Sequence, residues 1–212
     1  MRLTKFTHSC VRLDEGDRTL VFDPGVFSEV PAALDGADAV LITHEHPDHL
    51  DVEQVRAAAR RDSALQIWAP ASVAAELDLG DQVTVSEPGQ GFEAAGFAVR
   101  TFGGQHALIH PSIPTIANVG YLVDDAVYHP GDSLIVPTAQ VEVLLAPIHA
   151  PWSKTAEVID FVVSVRAGRV VGIHDALLND IGHGFVESLV GRIGGEHGSD
   201  YCSLAAAETL DV

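Results

Sequence analysis

An apolar run from Ala37 to Thr43 breaks off into His44-Glu45-His46-Pro47-Asp48-His49, and no other segment constrains this chain as tightly. A strand that runs out at Thr43 sets His44 and His46 two residues apart in extended backbone. Both imidazoles then lie on one side and Glu45 on the other. Pro47 suits the first turn of a following helix, where its missing N–H costs nothing. Asp48 and His49 leave the same turn in different directions. With 11 His and 18 Asp in 212 residues, a fixed His-x-His-x-Asp-His match arises by chance in roughly 1 of 400 such chains. A cluster of metal ligands is the stronger reading.

Imidazole and carboxylate donors suit Zn²⁺, Fe²⁺ and Mn²⁺, and the motif contains no cysteine of the kind that closes a structural zinc site. The expectation is two divalent metal ions, zinc first, with manganese or iron as alternatives. Three further residues follow apolar runs: His106 after Phe97–Phe102 and Gly103-Gly104, Asp132 after Ala126–Tyr128 and Pro130-Gly131, and His174 after Val170–Ile173. Each alone reads equally well as a polar loop residue. Three in succession at the carboxyl ends of strands, where α/β folds collect their chemistry, point to convergence on the motif.

Strand-like stretches recur at Arg2–Thr7, Cys10–Leu13, Thr19–Phe22, Ala39–Thr43, Gln66–Trp68, Gln82–Val85, Phe97–Phe102, Val119–Val123, Ala126–Tyr128, Val141–Leu145 and Val170–Ile173. Helical patterns occupy Val52–Arg61, Ala71–Leu79, Lys154–Arg166 and Gly184–Ile193. No linker divides the chain, so residues 1–212 are expected to form one domain. The pattern allows two packed sheets with outer helices and, equally, a three-layer α/β fold.

Composition narrows the partners. The net charge of -18 opposes nucleic acid and anionic membrane surfaces. The apolar runs fall far short of the roughly 20 residues that cross a bilayer. Two cysteines and a strand-like start predict a cytoplasmic protein with reduced thiols. A small-molecule substrate, monoanionic or a neutral ester or lactone, is the expected partner, and homo-oligomerisation stays open.

The His-x-His-x-Asp-His motif, His106, the Gly131-Asp132 pair and His174 resemble the metallo-β-lactamase-fold hydrolases, from Thr7 to about Asp180. Thr7-His8-Ser9, Asp23-Pro24 and Tyr128-His129-Pro130-Gly131-Asp132 resemble most the small branch of ascorbate-6-phosphate lactonase-like proteins and metal-dependent hydrolases. The resemblance implies an α/β (α+β) four-layer αββα sandwich. It implies one ion held by His44, His46 and His106, a second by Asp48, His49 and His174, and Asp132 between them. The chain lacks the Cys ligand of the zinc β-lactamases, so antibiotic hydrolysis is not implied. Ser133 stands where many relatives have Thr, and Ala150-Pro151-Trp152-Ser153-Lys154 departs from the branch pattern.

The expected chemistry is hydrolysis of an ester, lactone or phosphodiester by a hydroxide shared between the ions, with Asp48 orienting it and receiving its proton. His8 and His129 are candidate proton donors. Asp23 could hold a ligand histidine or the motif backbone. His110, and His149 with Trp152, could line the pocket, and Lys154 is the one basic residue expected to reach it. His183 and His197 are assigned to surface loops or helix ends. Iron-dependent oxygen chemistry and a non-catalytic metal-binding protein are the rival classes.

Overall fold

The computed structural model describes residues 1–212. In chain order the strands are β1 (Arg2–Lys5), β2 (Val11–Glu15), β3 (Arg18–Phe22), β4 (Ala39–Leu41), β5 (Gln66–Ala69), β6 (Val83–Val85) and β7 (Gly91–Ala94). They continue with β8 (Phe97–Gly103), β9 (Val119–Val123), β10 (Val127–His129), β11 (Val143–Pro147), β12 (Arg169–Ile173), β13 (Asp200–Cys202) and β14 (Thr209–Asp211). The helices are α1 (Val30–Ala33), α2 (Val52–Arg61), α3 (Ala71–Leu77), α4 (Thr155–Val165) and α5 (Asp180–Glu196). The strands form two seven-stranded sheets, in the orders β14-β1-β2-β3-β4-β5-β6 and β13-β12-β11-β10-β9-β8-β7.

Period-two alternation explains the layers. Ala39 and Leu41 of β4 face the opposite sheet, while Val40 faces α2. In β11, Val143 and Leu145 point between the sheets, and Leu144 and Ala146 point toward α4. The inter-sheet core joins Leu13, Phe22 and Leu41 to Phe97, Tyr121 and Leu145. Val55 and Ala59 of α2 cover one outer face, and Phe161 of α4 with Val190 of α5 cover the other. The result is the four-layer αββα sandwich, not the three-layer alternative. Buried side chains of this size contribute roughly 1.5–3 kcal/mol each.

Several boundaries differ from the sequence reading. β4 ends at Leu41 because Thr43 leaves its ladder: its N–H donates to Asp23 Oδ1 and its C=O accepts from Val119 N of the other sheet. Pro47 does not open a helix. It lies in a tight turn closed by His49 N and Leu50 N on His46 O, and α2 starts only at Val52, where Asp51 caps Gln54 N. α5 extends beyond Gly184–Ile193 at both ends. Five glycines within it (Gly182, Gly184, Gly191, Gly194 and Gly195) lower its intrinsic helix propensity, and packing against α4 and β13 overrides that. Strands β7, β13 and β14 have no clear signal because each is a short, polar edge element.

Strands β3 to β6 run parallel to one another, as do β10 to β13. The loops after β3, β4, β8, β10 and β12 meet at one end of the sandwich, together with the β1–β2 turn.

Candidate metal centre

Two sets of potential ligands lie side by side at that end: His44, His46, His106 and Asp132, and His8, Asp48, His49 and His174. Within each set the ligating atoms fall within 4.8 Å of one another. Asp132 reaches into both. Its Oδ1 is 3.0 Å from His49 Nε2, and its Oδ2 is 3.2 Å from His106 Nε2 and 3.1 Å from His174 Nε2.

Hydrogen bonds on the far side of each ring decide which nitrogen is free. His49 Nδ1 donates to Asp23 Oδ2 at 2.7 Å. His106 Nδ1 donates to Ala107 O at 2.6 Å, and His174 Nδ1 to His149 O at 2.7 Å. Thr43 Oγ1 gives its one proton to Asp23 Oδ2, so at 3.0 Å it must accept from His44 Nδ1. With Nδ1 carrying a proton, all four rings can offer Nε2 to a bound ion once any second proton is released. His44 Nε2 lies 3.1 Å from His46 Nδ1. His106 Nε2, His174 Nε2 and Asp132 Oδ1 are buried without a hydrogen bond. Such groups cost about 1–3 kcal/mol apiece unless something satisfies them, and a divalent cation does so. The donor set fits the expected ions.

His8 is oriented the other way. Its Nδ1 accepts from Ala176 N, so in the neutral ring Nε2 carries the proton, and it lies 3.2 Å from Asp48 Oδ2. Burial keeps the ring neutral, lowering its pKa against the opposing bond to Asp48. His8 is thus a donor to the Asp48 carboxylate and offers no free ring nitrogen to an ion. His129 departs from the sequence expectation. It is fully buried, its Nε2 donates to Ser9 O, its Nδ1 accepts from Gly131 N, and it stacks on Phe22. A ring committed on both nitrogens in the core is not a proton donor to substrate.

Asp23 holds both the motif backbone and His49. Its φ of 42°, with His8 at 67° and His174 at 58°, places three side-chain-bearing residues in the left-handed region at this one site. Strain of roughly 1–3 kcal/mol per residue is characteristic of functional loops. Two glycines allow the close packing beneath. A Cβ on Gly25 would lie 1.9 Å from Asp48 O, and one on Gly131 would lie 2.3 Å from Asn118 Oδ1. Asn118 itself went unnoticed in the sequence. Its amide donates to Pro130 O and accepts from Asp132 N, fixing the Gly131-Asp132 turn, yet nothing local distinguishes it from a loop asparagine.

The cavity over the ligands has a volume of about 360 Å³ and is lined by His46, Asp48, His106, Asp132 and His174 below. Trp152 forms one wall, and its indole N–H donates to Asp132 Oδ2 at 2.8 Å. Lys154 does not reach the cavity: it is exposed, N-caps α4 and pairs with Glu157. His110 is exposed and bonds Ser112, and His149 contributes only its carbonyl. His183, in the first turn of α5, pairs with Asp175, and His197 C-caps that helix. Ser133 accepts from Ile135 N.

Without ions the site stores protons. Burial alone would lower His49, but Asp132 and Asp23 outweigh it and hold its pKa well above the ordinary value. His174 is likewise raised, to about 9, by Asp132 and Asp48 against burial. Burial and the neighbouring His49 drive His44 down. A folded pKa raised above about 6.5 stabilises the fold fully below that pH, and the benefit disappears as pH rises through about 9. The chelator-stripped protein should therefore lose stability from pH 6.5 to 9. Zinc uptake at pH 7 should release protons, measurable by calorimetry in buffers of different ionisation enthalpy. Uptake with no proton release at pH 7 would contradict this charge arrangement.

Residues 2–174 match the model of the beta-lactamase superfamily domain. The chain is 42% identical over 183 residues to protein Rv0786c of Mycobacterium tuberculosis, covering 84% of this chain and 85% of that one. It is 28% identical over 169 residues to a UPF0173 metal-dependent hydrolase of Xanthobacter autotrophicus, covering 71% and 68%. Its fold matches Igni18, a metallo hydrolase of Ignicoccus hospitalis, with a TM-score of 0.75 at 19% identity over 99% and 97% of the two chains. With the family model spanning most of its length and the ligand loops at one end of an αββα sandwich, the chain belongs to the beta-lactamase superfamily and has the metallo-β-lactamase fold.

Proposed function

We propose that this metal-dependent hydrolase holds a pair of divalent ions and cleaves an ester, lactone or phosphodiester bond. The observation that carries the reading is the set of four imidazoles tied by Nδ1 so that Nε2 faces a common centre. His44, His46 and His106 would hold one ion, Asp48, His49 and His174 the other, with Asp132 between them. When bound, such a pair supplies Lewis acidity and a water ionised near neutral pH. Zinc suits the nitrogen-rich donor set, with manganese or iron the alternatives.

The chain's own residues do the rest. Asp48 lines the cavity, and its carboxylate would accept a proton from the attacking water. His8 Nε2 donates to Asp48 Oδ2 and orients that carboxylate. Trp152 holds Asp132 and helps close the cavity on one side. A phosphate on the substrate, as in ascorbate 6-phosphate, would meet no basic side chain in this cavity, so an unphosphorylated lactone or ester fits better. The pairing of β14 with β1 supports reading residues 1–212 as one folding unit.

Chelation tests the proposal. Exhaustive removal of metal should abolish hydrolysis, and two equivalents of zinc per chain should restore it. Activity persisting in metal-free protein would rule out the mechanism. Oxygen consumption without hydrolysis would favour iron-dependent oxidation instead.

A further inference from the structure

Above the ligands the cavity changes character. Phe27, Ile109, Trp152 and Leu177 form its upper lining, and they come from four separate loops. Three of them are large apolar side chains left exposed to solvent, Phe27 at 45%, Ile109 at 37% and Leu177 at 53%. A single exposed apolar residue has no special meaning, but several converging on one cavity mark a binding surface. Pro47 and Pro151 also line the cavity, and none of the 11 lining residues is Lys or Arg.

Charge points the same way. Asp23, Asp48, Asp132 and an ionised water together carry four negative charges, which balance a pair of divalent ions. Asp23 lies 2.7 Å from His49 and belongs in the sum. A neutral floor beneath an apolar collar, on a protein of net charge -18, gives no attraction to a dianion.

We infer that Phe27, Ile109, Trp152 and Leu177 are specificity-determining residues that select an uncharged carbonyl substrate, a lactone or ester bearing an apolar chain or ring. This rests on the hydrolase reading above, and the apolar group of the substrate itself occupies the collar. Its carbonyl end reaches the ligands below, and phosphate esters are refused for want of a cationic partner.

Zinc-loaded protein would be assayed on γ-butyrolactone, γ-decalactone, glucono-δ-lactone and 4-nitrophenyl phosphate. The expected kcat/KM for γ-decalactone exceeds that for γ-butyrolactone by about tenfold or more, since its added methylenes can be buried. The polar lactone should lie below both, and the phosphate ester should not turn over. Phe27→Ser and Leu177→Ser alter exposed positions and should fold normally, while the γ-decalactone to γ-butyrolactone ratio falls about threefold or more in each. A second arm needs no hydrolysis: 4-phenylbutan-2-one, an uncharged ketone, is titrated by ligand-observed NMR. Saturable binding that weakens in both serine variants supports the collar even if no lactone is cleaved, and in that case the hydrolase reading alone fails. Cleavage with a ratio near one, or glucono-δ-lactone or the phosphate ester cleaved as well as γ-decalactone, overturns the collar and leaves hydrolysis standing. Absence of both cleavage and saturable ketone binding overturns it too.

Discussion

Asp132→Ala should reduce kcat by about 10³-fold or more, equivalent to about 4 kcal/mol of barrier, and should leave fewer than two zinc ions per chain. The size of the effect follows from position. Asp132 is the carboxylate that approaches His106 from one ligand set and His49 and His174 from the other. Its removal takes a donor from both sets and leaves the Trp152 indole N–H without its acceptor. The backbone turn survives, because Asn118 grips the Asp132 N–H and not its side chain. His46→Ala gives an independent check at a half-buried site where the fold has little to lose. Circular dichroism should show native structure in both variants, and metal analysis with steady-state kinetics reads the rest. Full zinc content together with wild-type turnover in either variant would sink the dinuclear mechanism.

Asp23→Ala is expected to lower both stability and metal affinity although Asp23 lines no part of the cavity. The carboxylate is fully buried and accepts three bonds of 2.7 Å, from Thr43 N, Thr43 Oγ1 and His49 Nδ1. Removing it strands those donors, at a cost of roughly 3–5 kcal/mol. It also releases the protons that fix His44 and His49, one histidine from each ligand set. Loss of such outer partners typically weakens metal binding by about 10–100-fold. Asp23→Asn keeps the volume, and with its carbonyl oxygen on Thr43 N its NH2 faces Thr43 Oγ1 and His49 Nδ1, so it should recover part of the stability while metal binding stays weakened. Urea denaturation of the metal-free protein and zinc competition titration separate the two effects. Wild-type zinc affinity in Asp23→Asn would show that tautomer control by Asp23 is not needed.

The primary sequence alone singled out the candidate ligands that the fold brings together, because a His-x-His-x-Asp-His spacing and acidic or imidazole residues ending apolar runs are local features of the chain. It also carried the long helix Val52–Arg61 and the alternating strands, whose periodicities reflect one buried face. Folding in three dimensions decided what ring nitrogens do, since tautomers depend on partners as distant as Asp23 from His49 or His149 from His174. That is why His8 and His129 looked alike as residues and part company in space, one beside Asp48 and the other sealed against Phe22. It is also why Lys154 was wrongly brought toward the cavity, and why Asn118, Phe27 and Leu177 gave no warning. A ligand type is a property of one side chain, whereas a proton's location, a wall and a pocket's charge are properties of neighbours that only packing brings together.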